Sequence, residues 1–155
     1  MSRRAGSVAD WLIAFGAAAL FVSLLLTWSH QFSLGVLTVP GARVGLRGVP
    51  ADASAWQVYT VADVALATLA AALAAGALVG GRRFRLALLP LVIVGLVFSL
   101  HALSTPPTNG VRLLNPGPIV PAYAAIAPSA GAGETVAIIA LAVTLAGILL
   151  SLVSE

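Results

Sequence analysis

With 155 residues, 60% of them hydrophobic and only 8% charged, the chain has a mean hydropathy of +1.06 and carries more apolar side chain than a soluble domain of this length can bury. The absence of cysteine excludes disulfides, thiol redox chemistry and cysteine-ligated metals. The net charge of +3 comes from eight arginines without a lysine; these flank apolar segments, so membrane topology accounts for them and nucleic-acid binding is not expected.

The first apolar run, Trp11 to Trp28, is free of charge and predicts a transmembrane helix over 8–29. Ser7-Val-Ala-Asp10 fits a capping box at its start. Ser2-Arg3-Arg4 resembles the head of a signal peptide, but the run is long and lacks a small-x-small cleavage site near Thr27 to His30, so a retained span is expected. The outward loop, 30–54, is rich in valine and leucine from Phe32 to Val49 with Pro40-Gly41 in the middle. That pattern predicts a short β-hairpin, which needs the helix ends or the other loop to pack against.

The second span is expected at 55–79, opened by Ser54-Ala-Trp-Gln57 as a capping box. Asp63 would lie about 12 Å into that helix at the standard rise, and Trp56, Tyr59, Thr60 and Asp63 would share one face. Ala67, Ala71, Ala75, Gly76 and Gly80 form a small-residue stripe suited to close helix contacts, which predicts that this helix is central in the bundle or at an oligomer seam. Gly80-Gly81 ends it, and Arg82, Arg83 and Arg85 follow in a short turn, so an antiparallel hairpin to a third span at 84–103 is expected. Pro90 in that span reads as a tolerated kink.

The second outward loop, 104–133, holds most of the nine prolines, including Pro106-Pro107 and Pro116-Gly-Pro118, and is expected to be stiff. Pro121 to Ala127 suits a helical turn. A fourth span is predicted at 134–153, with Glu134 at its positive end. Arg3, Arg4, Arg82, Arg83 and Arg85 fall on one side, and Arg43, Arg47 and Arg112 on the other. The positive-inside rule then places both termini in the cytoplasm. Trp28-Ser29-His30 and Ser99-Leu100-His101 form a faint internal echo at the ends of the first and third spans.

The expected fold is thus an all-α membrane protein, one domain over 1–155, with four transmembrane helices in an antiparallel bundle. The candidate polar site is Asp63 with Tyr59, His30, His101, Arg112 and Glu134. An intramembrane acid marks either function or a polar lock; the lock, with His30, His101 or Arg112 as partner and the last two favoured, is the leading reading. The two histidines, with Asp63 and Glu134, are residue types that also ligate metal or haem, yet no metal-ligand spacing, phosphate loop or nucleophile elbow appears. No cofactor and no catalytic group is therefore expected.

Trp56-Gln-Val-Tyr59-Thr-Val-Ala-Asp63-Val64, and more loosely Arg112-Leu-Leu-Asn115-Pro116, resemble patches in small actinobacterial four-span membrane proteins of unknown function. Asn115 departs from that pattern, which has an acid there. The resemblance implies four spans in a bacterial plasma membrane and no particular activity. The leading functional expectation is a non-enzymatic binding or assembly component whose partners are the lipid bilayer and a second copy or another membrane protein. The runner-up is a small transporter or channel subunit with Asp63 as a proton or cation site.

Overall fold

The computed structural model describes residues 2–37, 43–45, 47–79, 81–109 and 123–154. Five helices and six short strands are found among them: α1 (Ser2–Ser23), β1 (Thr27–His30), β2 (Leu34–Leu37), β3 (Arg43–Gly45), β4 (Ala53–Ser54), α2 (Ala55–Val58), α3 (Ala62–Leu78), α4 (Arg82–Ser104), β5 (Tyr123–Ala125), β6 (Ser129–Ala130) and α5 (Ala132–Ser154). Two of the helices, α4 and α5, are long and apolar enough to cross a membrane, whereas Val8–Ser23 of α1 and α3 are shorter apolar helices.

The third and fourth predicted spans match α4 and α5 closely, and α4 passes through Pro90 without a break. The first is displaced. It starts at Ser2, so Ser7 lies within the helix rather than capping it, and it stops at Ser23 instead of near Ser29. Beyond that point the amides of Leu24, Leu25 and Leu26 bond back only three residues, to the carbonyls of Phe21, Val22 and Ser23. This tightening ends the helix, and Thr27–His30 extends to pair with strands from both loops. Ser99-Leu100-His101, by contrast, is helical, so the echo with Trp28-Ser29-His30 is not carried into structure.

The second span is broken. Gln57 does act as the capping residue expected, its Oε1 accepting from Ser54 N at 3.0 Å, but α2 ends after a single turn. Tyr59 is extended, at φ −112° and ψ 143°, and α3 begins only at Ala62. The expected common face of Trp56, Tyr59, Thr60 and Asp63 therefore does not form.

Helix α5 packs antiparallel on α1 and also on α4, and α1 packs on α3; α3 and α4 touch more sparingly although one turn joins them. A Cβ added to Gly16 would lie 2.0 Å from Thr144 Oγ1 and 2.7 Å from Ala140 O, so glycine is what lets α1 and α5 approach. The alanine stripe of α3 plays no such part: Ala71 and Ala75 are exposed. Gly76 does meet Phe84 and Leu88 of α4, whereas Gly80 lies outside the described residues. The core runs through Ile13, Leu20, Leu73, Val92, Leu141 and Ile148. Its densest packing is between α1 and α5, and the second predicted span is not central within the monomer.

All six strands lie at one end. One sheet has the order β4-β1-β6 and the other β3-β2-β5, so each joins strands from both connections. The predicted hairpin is present as β2 and β3, paired Leu34↔Gly45, Gly35↔Val44 and Val36↔Arg43; Pro40 and Gly41 lie outside the described residues. Its third strand is β5, where a helical turn was expected over 121–127. Extended backbone there pairs with β2, whose free edge would otherwise leave amides and carbonyls unbonded. Side chains add further ties: Ser29 Oγ donates to Pro107 O at 2.7 Å, and Ser33 Oγ to Val49 O at 2.9 Å.

Candidate functional site

The strand that ends α1 also places Trp28, held between β4 and β6, under the β-layer and over the helix ends. It is fully buried, and its Nε1 donates to Ser23 O at 2.8 Å, so the indole is desolvated without an orphan donor. Tyr59, released from helical geometry by the break after α2, packs edge-on to Trp28 with ring centroids 5.8 Å apart. Phe98 of α4 completes the group, 5.2 Å from Tyr59 and 6.4 Å from Trp28.

Glu134 enters this node from the first turn of α5. It is 0% exposed; its Oε2 accepts from Gly131 N at 3.2 Å, and its Oε1 is buried with no partner among the described residues. Gly131 N also donates to Trp28 O, so the acid and the Trp28 backbone carbonyl share one donor. Gly133 fits here only because it has no side chain: an added Cβ would lie 2.3 Å from the Trp28 ring.

Asp63 is 4% exposed and thus interior, as expected. Its position along the helix is not the one expected, because the break at Tyr59 puts it in the first turn of α3. There its Oδ1 accepts from Val64 N at 2.7 Å, a negative charge at the positive end of a helix. His101, one of its three predicted partners, is exposed and sits by Thr105, whose Oγ1 is 3.3 Å from Nε2. A second, His30, is paired with Asp52 instead, and the third, Arg112, lies outside the described residues.

His30 and His101 both stand at the β-layer end, but they are not brought together. His30 Nδ1 lies 2.6 Å from Asp52 Oδ1 in an exposed pair. Among the described residues no group of three or more His, Asp or Glu is placed to hold a metal. The buried hydroxyls nearest the node are committed to backbone carbonyls: Ser23 to Leu20 O, Ser29 to Pro107 O and Ser99 to Gly95 O. The aromatic node is therefore held by ring packing and by hydrogen bonds to the backbone.

Trp28 and Phe98 were not among the sequence candidates, because an aromatic at the edge of an apolar run reads as an interface residue. Asp10 was seen only as a capping residue, yet Arg85 Nη2 of α4 donates to its Oδ1 at the opposite end of the molecule.

The chain was compared with protein-family models, with curated proteins and with solved structures. It matches none of them.

Proposed function

We propose that this is an integral membrane protein of four spans in a bacterial plasma membrane, a non-enzymatic binding or assembly component that presents its β-layer outward. The observation that carries the proposal is the apolar girdle. Phe15 is 74% exposed, Val64 54%, Val94 65% and Ile139 58%, so α1, α3, α4 and α5 all turn large hydrocarbon side chains outward. An apolar surface on every helix is far more than a soluble monomer exposes.

The distribution of charge supports the same reading. Asp10, Arg82, Arg83 and Arg85 lie at one end, and Arg43, Arg47, Asp52, Asp63 and Glu134 at the other. Helix α3 is 17 residues long, about 25 Å at 1.5 Å per residue, and the α2 turn with the β-layer supplies the remainder of a crossing of about 30 Å. The arginines of the α3–α4 turn favour a cytoplasmic position for that end and for both termini. The resemblance in Trp56 to Val64 favours the same compartment. The place of Asp63 in the first turn of α3, with its Oδ1 accepting from Val64 N, supports a structural role for it over a proton or cation path.

Flotation of the expressed protein with lipid vesicles tests insertion, and reporter fusions at Arg83 and Asn109 test orientation. Inside and outside readings, respectively, are expected. The reverse pattern would overturn the orientation, and a protein that stays in the soluble fraction would overturn the membrane reading.

A further inference from the structure

The sparing contact between α3 and α4 leaves a groove along the outside of the molecule. Its floor is Leu66, Leu69 and Gly95, all buried, and its rims are the exposed Ala65, Leu91 and Val94. It runs from Ala62 and Phe98, at the β-layer end, down to Ala72. The rims continue into the apolar girdle, so the groove opens sideways onto the surface that the membrane reading assigns to lipid.

The geometry points to one occupant: a hydrocarbon chain of a membrane lipid from the leaflet on the β-layer side, an inference that rests on the membrane reading above. Chemistry excludes a polar guest. No lining residue is charged, and the one lining hydroxyl, Thr68 Oγ1, already donates its proton to Val64 O at 2.8 Å.

From Ala62 to Ala72 the groove follows roughly 15 Å of α3, and a single acyl chain, thin and flexible, can lie along that length in contact with both walls. In a bilayer an unfilled groove of this kind forfeits dispersion contacts along both walls, and the chains beside it supply them. The groove also ends against Phe98, so its occupant packs on the aromatic node that holds Tyr59 and Trp28.

That contact provides the test. Replacing Trp11 and Trp56, both exposed, with phenylalanine leaves Trp28 as sole tryptophan, fully buried and 6.4 Å from Phe98 between ring centroids. The double variant is reconstituted in phosphatidylcholine vesicles carrying a nitroxide on the acyl chain. Loss of Trp28 emission is expected. Filling the groove by Ala65→Phe, or separately by Ala72→Phe, restores the emission, whereas Ala71→Phe, exposed on α3 but off the groove, leaves the loss unchanged. Melting curves of each variant confirm that it is folded. A protein that floats with the vesicles yet shows no loss, or an equal loss in all variants, overturns the groove inference alone. An unquenched protein that cross-links as a dimer through α3 and α4 does the same in favour of a second copy. A protein that fails to float overturns the membrane reading with it.

Discussion

Arg85 and Asp10 tie α4 to α1 through a hydrogen-bonded ion pair of 2.5 Å, with the arginine side chain 10% exposed and the aspartate 42%. The arginine depends on this partner: its Nε has none among the described residues. Asp10→Ala therefore leaves a nearly buried cation unpaired, at a cost of about 1–3 kcal/mol once the exposure of Asp10 is allowed for. Adding Arg85→Met to that variant recovers most of the loss, because an apolar side chain of similar length has no charge to desolvate. Thermal melting in detergent checks both; a double variant no more stable than the single one contradicts the argument.

Asp63→Asn keeps an acceptor for the Val64 amide and removes the charge. If the carboxylate acts as a helix-start charge, the variant loses about 0.3–1 kcal/mol, and proton or cation flux in proteoliposomes is the same as in the parent. A variant that melts like the parent while a measurable flux disappears would return Asp63 to the role of a transport site.

Gly133→Ala places a methyl group against the Trp28 ring, where the nearest ring atoms are 2.3 and 2.5 Å away and Trp28 cannot retreat from between its two strands. A destabilisation of about 1–3 kcal/mol is expected, with a change in tryptophan fluorescence that reports the displaced indole. Gly81→Ala, where an added Cβ meets nothing within 4 Å, is the matched control and should melt like the parent.

The sequence by itself determined what depends on local runs. The uninterrupted apolar segments of α4 and α5 were legible in length and position, since a helix satisfies its backbone within one segment and the side chains merely have to suit the surroundings. The β2–β3 hairpin was legible too, because its partners are close in the chain and the sequence between them holds a Pro-Gly turn signal. Tertiary structure decided the ends of the first and second predicted spans. Thr27–His30 leaves the helix to pair with Ala53–Ser54 and with Ser129–Ala130, partners at the far ends of both loops that no local pattern reveals. Seating Trp28 in this way brings Tyr59 and Phe98 around the indole, and Tyr59 is extended between α2 and α3 where an unbroken helix was expected. Asp63, read from spacing as an acid within a span, thereby lies in the first turn of a new helix, where its oxygen bonds the Val64 amide. The residue was visible in the sequence, but its role rests on a backbone break seen only in the assembled structure, because long-range strand pairing and aromatic packing can override the helical preference of a short segment.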